Sequence, residues 1–354
     1  MAAIEERTLL DGGQTADEIG ARLVAWLGEA RQSLDVALYD VRLPGAVGDA
    51  VADAIRAAAA RGVAVRIVFN VDGDRSVKPL PPPPRTEPSL LEALGVPLKA
   101  IPGDPDLMHH KYAVRDCTAV WTGSTNWTLD SWTREENVLL TVASEGIARA
   151  YARDFDDLWR RGRVEGSGSF DVSAVEVGGV PVRVWFSPGR GPELSHRIAK
   201  RIGAARQRVR IASPVLTAAP VLAALNQALS EGVVDVAGVC DATQIAQVFS
   251  QWRANEHSAW KAPLLARVLS GLPWAGKIST PYAPGAVHDY MHAKVTVADD
   301  VVFIGSFNLS RSGEENAENV LEICEPGLAE RMAAFVDAVR LRYPAVAVPS
   351  YAAS

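Results

Sequence analysis

His109-His110-Lys111-Tyr112-Ala113-Val114-Arg115-Asp116 decides the fold, because the pattern returns as His292-Ala293-Lys294-Val295-Thr296-Val297-Ala298-Asp299. In an extended segment, residues two apart point to one face. Each of His109 and His292 therefore looks the same way as its lysine, while His110 and Ala293 look away. His110 is read as structural on that alternation alone, despite its imidazole. Gly123-Ser124-Thr125-Asn126 then recurs as Gly305-Ser306-Phe307-Asn308, and Glu136-Asn137-Val138 as Glu318-Asn319-Val320, at offsets of 182 to 183 from the first copies. With 6 histidines, 36 basic and 42 acidic residues in 354, chance supplies only about 0.07 loose matches to the His-Lys-Asp spacing. The chain contains an internal duplication.

Outward from each motif the order of elements repeats. Residues 17 to 33 read as a helix with Ile19, Leu23, Leu27 and Ala30 on one stripe, followed by a strand over 34 to 39, a helix over 46 to 60 and a buried strand over 63 to 69. The second half gives strands over 182 to 186, 209 to 212 and 233 to 239, separated by helices over 193 to 204 and 216 to 230. Ala30-Arg31-Gln32 even recurs as Ala205-Arg206-Gln207. The expectation is an α/β fold of two similar lobes, each a mixed sheet flanked by helices, related by a pseudo-two-fold axis. Glu165-Gly166-Ser167-Gly168-Ser169 marks the junction, which gives lobes of 1–165 and 166–354. Irregular stretches over 79 to 88 and 241 to 290 precede the two motifs and are natural substrate-contacting loops.

The paired motifs suit phosphodiester chemistry, which needs a nucleophile, an acid for the leaving alkoxide, and cations or donors around the other phosphate oxygens. One of His109 and His292 would attack and the other would protonate the leaving group; the residues themselves allow either assignment. Lys111 and Lys294 supply compact positive charge, and Ser124, Asn126, Ser306 and Asn308 supply neutral hydrogen bonds. Glu136 and Glu318 are placed to orient an imidazole through its Nδ1. One copy is half a site, so two copies in one chain make a catalytically self-sufficient monomer.

This pattern resembles the phospholipase D superfamily, whose signature is two HxKxxxxD motifs each followed by a Gly-Ser/Gly-x-Asn element. The resemblance spans nearly the whole chain. It implies two α/β lobes around one metal-free site and a covalent phosphohistidine on His109, with His292 as the acid. By the same resemblance Asp116 and Asp299 belong to the motif as strand-end or turn residues more than as proton carriers. The first motif is especially similar to the mitochondrial cardiolipin hydrolase and bacterial endonuclease branch, whose members usually carry one motif and dimerise.

Composition narrows the remaining choices. A hydrophobic fraction of 48% and a charged fraction of 22% are those of a globular enzyme and exclude disorder. The net charge of −6 argues against a broad basic surface for nucleic acid or an anionic membrane. The basic stretches over 160 to 163 and 183 to 210 read as solvated faces. Cys117, Cys240 and Cys324 are an odd set at long spacings and fit reduced thiols; with no signal-like start and no apolar run of membrane length, the expected location is cytoplasmic. Neither a metal site nor a cofactor is expected. Met108 and Met291 read as packing, His196 as a surface residue, His288 and His257 as candidate substrate contacts, and Trp252, Trp260 and Trp274 as core or as a groove lining. The reading is a phosphodiesterase acting on a phospholipid head group by hydrolysis or transfer. A nuclease and a non-catalytic phosphate-binding module are the alternatives.

Overall fold

A computed structural model describes residues 3–71, 86, 88–254, 256–280 and 286–348, with the side chains of Glu256 and His257 outside that description. Most of the proline-rich stretch over 79 to 88 also lies outside it, as does the candidate contact at His257.

Two sheets carry the molecule. The first runs in the order Ile4–Leu9, Asn137–Ala143, Ala119–Gly123, Lys111–Arg115, Ser33–Leu38, Ala64–Val71, Leu98–Pro102. The second runs Val175–Val177, Val180–Ser187, Glu318–Cys324, Val301–Gly305, Val295–Ala298, Arg208–Ala212, Asp235–Asp241, Trp274–Lys277. Apart from the extra edge strand Val175–Val177, the two orders are the same topology written twice. In each sheet three strands are parallel, joined through helices, and the rest are antiparallel. Both sheets are mixed and flanked by helices, as the repeated β-α-β pattern requires.

Local chemistry sets the helix ends. Thr15 and Glu18 form a reciprocal capping box that starts Ala16–Gly28. Ser144 caps Glu145–Arg161, which stops at Gly162 in the left-handed region, φ 67°. That helix buries Ile147, Tyr151, Phe155 and Leu158, one helical stripe, in the core between the lobes; Leu328, Met332 and Val336 of Pro326–Arg340 enter the same core from the second half. Separate apolar clusters fill the outer face of each lobe.

Two differences from the sequence reading matter. The first helix ends at Gly28, not 33, because Arg31, Gln32 and Ser33 turn their N–H groups onto Asp116. Residues 241 to 290 are not an irregular loop: Ala242–Ala254, Glu256–Ala259 and Lys261–Gly271 are helical and Trp274–Lys277 joins the sheet. Ile245, Phe249 and Trp252 form the buried stripe of the first of these helices.

Candidate active site

Both motif strands run antiparallel to their neighbours in the middle of a sheet and place His109 and His292 in one cleft of about 270 Å3. Its walls include Tyr39, Asp40, Arg42, Asn126, Asp130, Glu135, Gln244, His288, Tyr290 and Asn308. The lobes are laced together at the cleft floor by backbone bonds: His109 N–H donates to the Ala317 carbonyl at 2.9 Å, and His292 N–H to the Glu136 carbonyl at 3.2 Å. Each histidine is also held by side chains from the opposite lobe. His109 Nδ1 lies 2.9 Å from Glu318 Oε2, and His292 Nδ1 lies 3.2 Å from Glu135 Oε2 and 3.1 Å from Asn137 Oδ1.

Glu318 is thus positioned as the sequence suggests, but Glu136 is not. Its carboxylate accepts from the buried Lys277 ammonium at 3.0 Å and from the Tyr343 hydroxyl, away from the His292 ring. The reason is strand register. Gly123 pairs with Leu139 and Gly305 with Val320, so the residue equivalent to Glu318 is Asn137. The span from Ser124 to Asn137 is one residue longer than that from Ser306 to Glu318. A one-residue slip turns every side chain to the other face, which carries Glu136 to Lys277 and leaves Glu135 to meet His292.

Ser124 and Ser306 also depart from expectation. Both are fully buried behind the histidines: Ser124 donates to Asn137 Oδ1 at 2.6 Å and accepts from Val138 N–H, and Ser306 accepts from Asn319 N–H at 3.0 Å. Their hydroxyls brace the strands that carry the orienting groups and do not line the cleft. Asn126 and Asn308 do line it, each with a buried Oδ1 that no hydrogen bond satisfies. Unfilled buried polar atoms on opposite walls of one cleft mark a place for a polar ligand.

Asp116 and Asp299 sit at positive φ, 54° and 50°, past the ends of the motif strands. Asp116 accepts from the N–H groups of Arg31, Gln32 and Ser33, and Asp299 from those of Arg206, Gln207 and Arg208. The repeated Ala-Arg-Gln of the sequence is this turn. Burial would raise both carboxyls, but the backbone bonds outweigh it and hold them below the usual range. These aspartates are turn anchors.

Lys111 and Lys294 are buried, each ammonium donating to the carbonyl of its own motif's histidine, at 2.6 and 2.5 Å. Lys111 also lies 4.7 Å from the centre of the Tyr39 ring. Crowding four basic groups in a buried floor makes each resist a proton. Burial, reinforced by the lysines, holds His109 well below its usual value; burial and Lys294 bring His292 to about 4 against the pull of Glu135. Burial brings Lys111 to about 7 against Glu318 and Asp40, and burial with Lys111 pushes Lys294 well down. The two orienting carboxyls part company. Burial lifts Glu318 to about 8, whereas at Glu135 the upward push of burial is overcome by His292 and by bonds from Ser131 and Asn137, leaving it at about 2.

His110 faces away from the cleft. It is fully buried, with Nε2 3.0 Å from Asp154 Oδ2 and Nδ1 3.1 Å from Asn319 Nδ2. Met108 and Met291 are buried in the central core, and Trp252 and Trp274 in the outer core of the second lobe; Trp260 is exposed. His288 lines the cleft, its ring stacked on Tyr290 with centroids 5.7 Å apart, and its backbone N–H donates to Asp130 Oδ1. Arg42 bridges Asp40 and Asp130 on the same wall. Motif spacing gave no signal for Glu135, Asp130, Arg42 or Lys277, because each acts through a contact across a loop or between lobes. Most arginines of the basic stretch are spent internally: Arg197 and Arg201 on Glu322, Arg190 on Asp171 and Glu193, Arg210 on Asp235 and Asp337. Among the described residues no cluster of three histidine, cysteine or acidic side chains is arranged to hold a metal ion, and no helix is long and apolar enough to cross a membrane.

Two such lobes closing a paired-histidine cleft define a member of the phospholipase D superfamily. The chain belongs to the family described as cardiolipin synthase, PLD-like domain, whose profile matches residues 23–159 and 198–339. Mitochondrial cardiolipin hydrolase of Xenopus tropicalis is 32% identical over 151 residues, 41% of this chain and 62% of that protein. The Homo sapiens protein of the same name is 31% identical over 147 residues, 40% of this chain and 51% of its own length. The chain therefore matches little more than half the length of these relatives. Among solved structures, phosphatidylserine synthase of Haemophilus influenzae Rd KW20 superposes with a TM-score of 0.67 at 13% identity, covering 96% of this chain and 86% of that one. Polyphosphate kinase of Porphyromonas gingivalis does so with 0.61 at 13%, covering 96% and 47%. At such identities these two speak for the fold alone.

Proposed function

We propose that this chain is a phosphodiesterase that removes or exchanges the head group of a phospholipid through a covalent phosphohistidine. The observation that carries the reading is the cleft itself: two imidazoles from two lobes share it, each with Nδ1 held by the opposite lobe. In its carboxylate form Glu318 accepts from His109 Nδ1–H, which leaves the Nε2 lone pair free to attack phosphorus. His292 gives a proton to the leaving oxygen and takes one back from the water or alcohol that frees the enzyme. Lys111 and Lys294 bring positive charge from the floor, and the Nδ2 groups of Asn126 and Asn308 are the donors for the remaining phosphate oxygens. A bound phosphodiester also relieves the crowding of basic groups, so substrate entry and protonation of the site support each other.

Lipid is favoured over nucleic acid by the cleft walls. Asp40, Asp130 and Glu135 line it, and most arginines of the basic stretch, Arg197 and Arg210 among them, are paired elsewhere. The lobe boundary near residue 165, monomeric action, metal-independent chemistry and a cytoplasmic location, the last in keeping with three free cysteines, belong to the same proposal.

The test is wild type beside His292→Ala on phosphatidylcholine, cardiolipin and single-stranded DNA, all with EDTA present. Cleavage of a lipid by the wild type and its loss in the variant is the expected result. Cleavage of DNA alone transfers the substrate to nucleic acid, loss of all activity in EDTA overturns the metal-independent chemistry, and binding of phosphodiesters with no turnover makes the chain a binding module.

A further inference from the structure

The register offset leaves the two half-sites unequal. Where His109 has Glu318, the two-fold-equivalent position opposite His292 holds a neutral amide, Asn137. We infer that Glu135, two residues before that position, is the positioning carboxylate that makes His292 the proton carrier, so that the chemical roles of the two histidines are fixed by this asymmetry. The inference rests on the phosphohistidine reading above.

The geometry around Asn137 leaves one arrangement. Ser124 Oγ accepts from Val138 N–H at 2.9 Å, so its own hydrogen goes to Asn137 Oδ1 at 2.6 Å. Asn137 Nδ2 donates to the Ser131 carbonyl at 3.2 Å and to Glu135 Oε2 at 3.0 Å. Asn137 therefore presents oxygen to the His292 ring, and Glu135 presents a second oxygen beside it; both are acceptors, so Nδ1 of His292 is the N–H. Ser131 Oγ holds Glu135 from behind at 2.5 Å and in turn accepts from Asn126 N–H at 3.2 Å. Glu135 is 4% exposed, and among the described residues His292 is the basic side chain paired with it. A carboxylate so enclosed, in direct contact with the ring, stabilises an imidazolium there.

The amide and carboxylate at His292 stabilise that imidazolium when it forms, which a proton donor needs. Among the described residues His109 meets one carboxylate and no second acceptor beside it, an arrangement that orients its neutral ring as a nucleophile needs. In the first step His109 Nε2 bonds to phosphorus as the phosphorus–oxygen bond to the leaving group breaks, and the His292 Nε2 proton goes to that oxygen. In the second, the oxygen of water bonds to phosphorus, the phosphorus–nitrogen bond breaks, and the water's proton returns to His292.

Leaving-group dependence separates the roles. Aryl phosphodiesters running from p-nitrophenyl to unsubstituted phenyl need progressively more help from an acid, and phosphatidylglycerol micelles are the alkyl extreme. Glu135→Gln is expected to lower the rate of phosphoenzyme formation about 100-fold on phosphatidylglycerol and by less than about threefold in the p-nitrophenolate burst. Glu318→Gln is expected to lower both alike. Moving the charge in Glu135→Gln/Asn137→Asp is expected to restore the alkyl reaction, a rescue that a merely structural Glu135 would not permit. Equal losses across the series in Glu135→Gln, or a folded double variant without rescue, overturn the inference. A wild type with no burst and no phosphate trapped on His109 overturns the phosphohistidine reading instead.

Discussion

Lys111 is the residue whose burial costs the fold most plainly. It is 1% exposed and its pKa is brought to about 7, while in the unfolded chain it keeps its proton to about 10.5. Below pH 7 both states carry the charge and the burial penalty is full; between 7 and 10.5 the folded state is neutral and the penalty fades as pH rises. Lys111→Met is therefore expected to raise the unfolding free energy by on the order of 2 kcal/mol at pH 7 and by almost nothing near pH 10.5, while abolishing turnover. Urea titrations of both proteins at the two pH values check it. In the wild type, the same titration should make kcat/KM fall as pH rises through about 7, because the empty cleft then loses the cation that receives the phosphate. A profile flat from pH 6 to 8 would contradict that. At this scale, His109, His292 and the lysines were legible because spacing on a strand fixes their direction. Glu135 was not, since the aligned copies point to Glu136, and the extra residue before the strand moves the contact to its neighbour.

Among the elements, the turns after the two motif strands carry their own predictions. Asp116→Ala or Asp299→Ala removes the acceptor of three N–H groups and should cost roughly 1–3 kcal/mol in denaturant titrations. The folded fraction should keep its kcat, as anchors require and proton carriers would not. The strand Trp274–Lys277 matters for another reason. Lys277 donates to Glu136, to the Arg134 carbonyl and to the Tyr290 carbonyl, so one ammonium pins the first lobe to the segment that leads into His292. Lys277→Met leaves Glu136 buried with Tyr343 as its remaining side-chain partner among the described residues, and a loss of about 3–5 kcal/mol is expected by thermal or chemical denaturation. The helices and parallel strands could be read from apolar periodicity and β-branched runs. The helices over 242 to 271 escaped because charged and proline residues interrupt them, though the stripe Ile245, Phe249, Trp252 was there to be seen.

For the molecule as a whole, both half-sites lie in one chain, so specific activity should stay constant on dilution to nanomolar protein, with light scattering giving the 37.8 kDa of a single copy. A drop in activity paralleling dissociation of a dimer would contradict this. The duplicated topology was legible from the repeated motif and element order. The offset between Asn137 and Glu318 was not, because it depends on how many residues a turn consumes before the next strand takes up its ladder. That offset has a genetic meaning. When two identical copies build a site, every substitution lands twice, and the attacking and donating sides must tolerate the same change. Joined head to tail in one gene, the copies answer to separate codons, and each histidine can acquire surroundings that its twin could not survive.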